Sequence, residues 1–363
     1  MSDNVRVRIR PEAFSEGRSK VMGYLQPGRI YRATHNAAIR TWYVDGAQIG
    51  EKMIEVVQEP DFTMELHQSD VDALWSCPRR FYYGKIKGLR TAKKPSYFTV
   101  GEIYHFGVAL ARHPYNANFV KEDLFARIEA VYGGKASGEE MQEALKYLGM
   151  WVEHCGKDPL KHKVVQVETP LTYRFPEWPE GYGIGGTMDA VLQEEHNPAM
   201  LWIGEWKTAG RADVGYFRSL RNGPQPAWYY LLLLHNLTYL GLHNTEAIRG
   251  HIYEIYQKNS TPPVKREMSI LDNTMFVRGI EFSSDSVQRA AAIIKEARFE
   301  RVLSSCYGKY NTECPYMPWC YRKGEAEKDH EDLLGTMYTV KDPAEALKER
   351  QLPSSFYDLS SNP

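Results

Sequence analysis

Between Lys163 and Thr208 the chain leaves helical spacing for a period of two, three times in close succession. The segments "KVVQVETPLTYRF", "IGGTMDAVLQ" and "LWIGEWKT" read as strands, the first interrupted by Pro170 and the last two joined by the short turn "EEHNPAM". Upstream the spacing is helical. "SDVDALWSCPRRFYY" offers Ser69 as a cap with Val71, Leu74 and Trp75 on one face. A second helix is predicted to start near Gly101 in "GEIYHFGVALARH", and a further helical stretch covers Lys121 to Cys155, broken at "GGKASG". Downstream come a helix from about Pro226, a strand at "IRGHIYEIYQ" and a strong helix at "SDSVQRAAAIIKEARFERVLSS". Helix, three strands, helix, strand predicts an α/β fold, a mixed central sheet flanked by helices.

At 363 residues and 43% hydrophobic content the chain can bury one large core or two smaller ones. Residues 1–65 read as a β-rich accessory segment with turn signals at "QPGR" and "DGAQ", 66–324 as the main domain, and 325–363 as a polar tail with one short helix after Asp342-Pro343. The longest apolar run, "WYYLLLL", is too short to cross a bilayer, and the first residues hold no apolar signal core. The expectation is a cytoplasmic protein with no membrane partner. Net charge is −1, so a nucleic-acid site has to concentrate its positive charge locally.

Strand alternation supplies the first chemistry. Glu205 and Lys207 fall on one face of their strand and Trp206 on the other. A hairpin brings Asp189 beside Glu205, and two converging carboxylates suit Mg²⁺ or Mn²⁺. Such an ion activates water and neutralises charge on a phosphate, with Lys207 orienting the water or stabilising the charged transition state. Gly185 and Gly186 leave room for a DNA backbone to approach. Acid-x-Lys alone is also the ordinary pattern of a solvated strand face; the flanking motifs give it weight. Glu168, one strand earlier, is within reach of joining the site, but its first reading is a surface acid.

"GTMD" followed by "EWKT" resembles the RecB-like branch of the PD-(D/E)XK nucleases. Two further motifs match that branch in order. The resemblance of "GEIYH" to its Gly-x-x-x-His motif implies His105 as an additional metal ligand, and that of "QPAWY" to its Gln-x-x-x-Tyr motif implies Gln225 and Tyr229 on a helix beside the site. Pro226 inside that motif requires the helix to start there.

Cys306, Cys314 and Cys320 lie close together near the C-terminus, with Cys77 far upstream. Clustered cysteines in a long chain of a reducing compartment suggest a metal clip, either a [4Fe–4S] cluster or zinc. The one-plus-three layout resembles the iron–sulfur, AddB-type nucleases, which implies a cluster tying the start of the nuclease domain to its end. The interval Cys306-x7-Cys314 is longer than is common there. Cys155 reads as an ordinary buried thiol.

From Cys77 to Lys94 the chain is basic and carries no acid, with aromatic residues interleaved. Arg79, Arg80, Tyr82, Lys85 and Lys87 are therefore the predicted DNA contacts, through phosphates and stacked bases. Together these readings predict a Mg²⁺-dependent deoxyribonuclease. It is expected to act as an exonuclease on DNA ends or single strands, in recombination, repair or viral DNA processing, as in a phage-encoded enzyme. The alternative is a catalytically inactive nuclease-derived module that binds DNA or a partner. A protein partner would dock through the N-terminal segment or the tail.

Overall fold

The computed structural model describes residues 64–340 except 93, 117–118, 158–159, 243–246, 259, 262, 308–312, 321–333 and 335, and in residues 1–63 the backbone of five strands. Those strands are β1 (Asn4–Ile9), β2 (Ile30–Asn36), β3 (Thr41–Val44), β4 (Ala47–Gly50) and β5 (Ile54–Val56), antiparallel in the order β4-β3-β2-β1-β5. The expected helix after Asp342-Pro343 lies outside the described residues.

The remaining chain starts with β6 (Met64–His67), α1 (Gln68–Ser76), α2 (Pro78–Phe81) and the short strand β7 (Leu89–Thr91). Helices α3 (Ser96–Arg112), α4 (Lys121–Tyr132) and α5 (Gly138–Lys157) lead into β8 (His162–Tyr173), β9 (Tyr182–Glu194) and β10 (Met200–Ala209). Then come α6 (Val214–Asn222), α7 (Pro224–Asn236), β11 (Ala247–Gln257), β12 (Val264–Ile270), α8 (Asn273–Glu296), α9 (Met317–Cys320) and β13 (Tyr338–Val340).

Six strands form one mixed sheet in the order β12-β11-β10-β9-β6, with β8 along the other edge of β9. Strands β10 and β11 are parallel, and α6 and α7 make the crossover that a parallel pair requires. Alternation sends Trp202 and Trp206 of β10 into a core with α3, α4 and α5, and Leu201 and Ile203 into a second core with α1, α7 and α8. A strand buried on both faces reads as an almost unbroken apolar run, as "LWIGEW" does. The sheet flanked by helices is the expected α/β architecture.

One feature of β9 positions the site. Its first residues pair with β6 (Met64↔Tyr182 to His67↔Gly185), and its last pair with β10 (Ala190↔Gly204 to Gln193↔Leu201). Between Gly185 and Ala190 neither neighbour continues the ladder, so the sheet parts there, while β8 runs along the opposite edge throughout.

Several elements differ from expectation. Helix α1 starts at Gln68, capped by His67, whose N–H donates to the Asp70 carboxylate at 3.0 Å; Ser69 is inside the helix. Helix α3 starts after Pro95, well before Gly101. Helix α8 starts at Asn273, where the Asp272 carboxylate accepts the N–H of Met275. Strand β12 exposes Met268 and Ile270 and half-buries its charged residues, and helix α6 exposes Arg218 and buries no residue fully, which hides their periods. Within the described part of the tail, β13 pairs with β7, and Tyr338 is buried with Tyr83, Leu89 and Trp319. No helix among the described residues is long and apolar enough to cross a membrane.

Candidate active site

Asp189 sits where β9 and β10 part. Its Oδ2 accepts the backbone N–H of Trp206 at 2.7 Å, replacing the ladder bond that the divergence removes. From α3, Nδ1 of His105 lies 3.6 Å from the same oxygen. From β8 comes Glu168. Val167 pairs with Ala190 and Thr169 with Met188, so Glu168 stands opposite Asp189. Its φ of 46° lies in the left-handed region, a costly backbone for a residue other than glycine. Ligand atoms of His105, Glu168 and Asp189 all lie within 4.8 Å of one another.

Glu205 turns to the α7 side. Its Oε2 accepts from Nζ of Lys207 at 2.7 Å and from Nε2 of Gln225 at 3.3 Å, while its Oε1 is buried with no partner. Gln225 and Tyr229, four residues apart on α7, share the face turned to the site. Pro224 and Pro226 both fall in the first turn of α7, where a missing N–H costs little, so the helix starts slightly earlier than expected.

The acids repel one another in a confined space. Burial, then the carboxylates of Asp189 and Glu205, push Glu168 well above the usual carboxylate range. Burial, against the Lys207 ammonium and together with Asp189, pushes Glu205 up to about 7. Burial alone would raise Asp189, but the charges of His105 and Lys207 and the hydrogen bonds it accepts hold it below its ordinary value. Lys207 is raised: burial opposes its charge, and the carboxylates of Glu205 and Asp189 outweigh it.

This donor set of oxygens and one imidazole fits a hard divalent cation, and the crowded carboxylates and orphaned Glu205 oxygen are the groups such an ion would satisfy. Glu168, read from sequence as a surface acid, is instead a member of the cluster. The structure brings Glu168, not Glu205, within that 4.8 Å radius of His105 and Asp189. The signal for Glu168 was its register opposite Asp189, obscured by the Pro170 interruption and by the register irregularity between Val164 and Gln166.

Gly185 and Gly186 do not open a path for DNA. A Cβ on Gly185 would collide with the Glu65 side chain, and one on Gly186 would meet the Tyr229 ring at 2.8 Å. These glycines make room for neighbouring side chains of the protein itself.

The basic segment is also largely engaged. Arg79 donates to the Phe299 carbonyl at 3.0 Å, Lys85 pairs with Asp70 at 2.9 Å, and Tyr82 stacks on Phe299 with ring centroids 4.3 Å apart. Phe81 and Tyr83 are buried. Of the predicted DNA contacts, Arg80 and Lys87 face solvent, Lys87 with its ammonium 5.5 Å from the Tyr82 ring centre.

Cys77 lies between α1 and α2, Cys306 follows a short turn at Leu303–Ser305, and Cys320 ends α9. The Cys314 N–H donates to the Cys306 carbonyl at 2.7 Å. Burial raises the thiols of Cys314 and Cys320, and both also feel Cys77 and Cys306. The four sulfurs do not close into a compact ligand group within 4.8 Å. A single zinc ion bound at about 2.3 Å would need its sulfurs closer together than that. Cys155 stands apart, its sulfur 3.6 Å from the Arg112 guanidinium.

A search of curated protein sequences finds no match. Among solved structures, the chain is similar to a proposed exonuclease from Eubacterium rectale, with 12% identity over 75% of this chain and 93% of that one and a TM-score of 0.46. It is also similar to the protein SSO0001, with 18% identity over 50% of this chain and 74% of that one and a TM-score of 0.23. The family model of the PD-(D/E)XK nuclease superfamily matches residues 65–321, from β6 through α9, so the chain belongs to that superfamily.

Proposed function

We propose that this protein hydrolyses DNA phosphodiester bonds with a divalent cation, as an exonuclease acting on ends or single strands in recombination, repair or viral DNA processing. The observation that carries this reading is the meeting of Asp189, Glu168 and His105 at the parting of β9 and β10, with Lys207 alongside. Asp189, Glu168 and His105 would hold the ion, and the unpartnered Oε1 of Glu205 is a further oxygen on offer. Bound Mg²⁺ or Mn²⁺ supplies Lewis-acid polarisation of the phosphate and a more acidic water. Lys207, held by Glu205 and kept charged, presents its ammonium to the charge that develops on the phosphate. Gln225 steadies the same Glu205 oxygen, and Tyr229 closes the α7 side over Gly186.

The test is digestion of end-labelled single- and double-stranded DNA. Cleavage should require divalent metal, and Lys207→Ala should lower the rate by about 10²–10³. A variant cutting as fast as the parent overturns the assignment.

Cys77, Cys306, Cys314 and Cys320 are proposed to hold a [4Fe–4S] cluster with a structural role. What supports this reading is the one-plus-three spacing, Cys77 far upstream of the three clustered cysteines, a layout unusual for zinc. Protein prepared anaerobically should be brown and contain iron; a colourless protein with stoichiometric zinc reverses the choice.

A further inference from the structure

The most exposed aromatic pair of the described chain lies at the start of α3, the helix that carries His105. Tyr97 is 61% exposed and Phe98 53%, and their rings stand 4.5 Å apart at 35°. Large aromatic rings in water are unfavourable unless a partner covers them. Tyr97, Gly101 and His105 follow at intervals of four residues and share one stripe of the helix. Along that stripe Tyr97 is exposed and Gly101 and His105 are half-buried, whereas Ile103, Tyr104 and Phe106 are buried. At its middle, a Cβ on Gly101 would meet only the Thr208 hydroxyl, at 3.8 Å, so the floor is low. Eight residues of helix place Tyr97 about 12 Å from His105. The helix's single acid, Glu102, is neutralised by Lys94, so little on it repels a polyanion.

The geometry points to a base-stacking platform: Tyr97 and Phe98 hold unpaired bases of a single strand whose backbone crosses Gly101 to reach the metal-binding cluster. This rests on the reading of the site as a nuclease and assigns its substrate as single-stranded DNA. Base stacking on aromatic side chains is tolerant of sequence, as a nonspecific nuclease requires. It also supplies the aromatic surface that the buried or occupied Phe81, Tyr82 and Tyr83 cannot.

The test is binding of a fluorescent oligothymidylate and of a blunt duplex, with Ca²⁺ in place of Mg²⁺. Tyr97→Ala/Phe98→Ala should weaken oligothymidylate binding by roughly fivefold to a hundredfold, leave the duplex unaffected and keep the parent Tm. Tyr97→Trp/Phe98→Trp should retain parent affinity. Unchanged oligothymidylate binding by the double-alanine variant overturns the platform, as does an equal loss on duplex. The two readings fail separately. A parent protein that binds the strand but never cuts it with Mg²⁺ sinks the nuclease reading alone; one that cuts while the variant binds equally well sinks only the platform.

Discussion

Glu168 combines three costs: a left-handed backbone, burial, and two neighbouring carboxylates that raise it well above the usual range. Strain of this kind persists where surrounding structure enforces it, often at functional sites. A carboxyl raised in the folded state costs stability at any pH above its unfolded value, so Glu168→Gln should raise the Tm of metal-free protein at pH 8. The same change should weaken Mn²⁺ binding about tenfold or more in calorimetric titration. A lower Tm with full Mn²⁺ affinity would place Glu168 outside the site. His251, fully buried on β11, is a different case. Burial, opposed in part by its hydrogen bond with the Pro226 carbonyl at 3.0 Å, brings it down to about 4. A folded pKa below the unfolded value means this contribution is complete above about pH 6.5 and is lost as pH falls towards 4. The loss approaches about 3 kcal/mol below pH 4. Denaturant titrations at pH 7 and 4.5 should show the parent losing more stability than His251→Gln; parallel losses would contradict its neutral burial.

Elements decide which of these residues meet. Alternation along β10 places Glu205 and Lys207 together and sends Trp206 to the other core, as expected from sequence. It says nothing of β8, whose register opposite β9 brings Glu168 to Asp189. Helix α7 begins early enough for both prolines to sit in its first turn, which leaves Gln225 free to reach Glu205. At the far end, β13 and β7 hold the residues around α9 in place. Tyr338 is fully buried there, stacks on Tyr316, meets Trp319 edge-on and donates to the Pro315 carbonyl at 2.8 Å. Tyr338→Ala should cost about 3–5 kcal/mol, measured by denaturant unfolding, and should make the cysteine-bearing segment easier to cleave in limited proteolysis. A change below about 1 kcal/mol would mean that β13 does not secure this end.

For the molecule as a whole, composition and charge carry a kinetic and thermodynamic message. With a net charge of −1, and Arg79 and Lys85 committed to internal partners, the Cys77–Lys94 segment offers phosphates fewer cations than its sequence suggests. Single-strand affinity should therefore fall only gently with salt, with a log–log slope shallower than about −3. A steeper slope would reveal a broad basic face. The α/β architecture, the β9–β10 hairpin, and the shared face of Glu205 and Lys207 with Trp206 on the other were legible in the chain, because each depends on local periodicity and short turns. The membership of Glu168, the filling of the space beside Gly185 and Gly186, and the internal use of the basic segment were not. Backbone dihedrals alone determine which neighbours along one strand share a face, and the sequence suffices for that. Which acid stands across from Asp189, and whether an arginine ends on a phosphate or on a carbonyl 220 residues away, is decided only when separate strands and helices settle their register and packing.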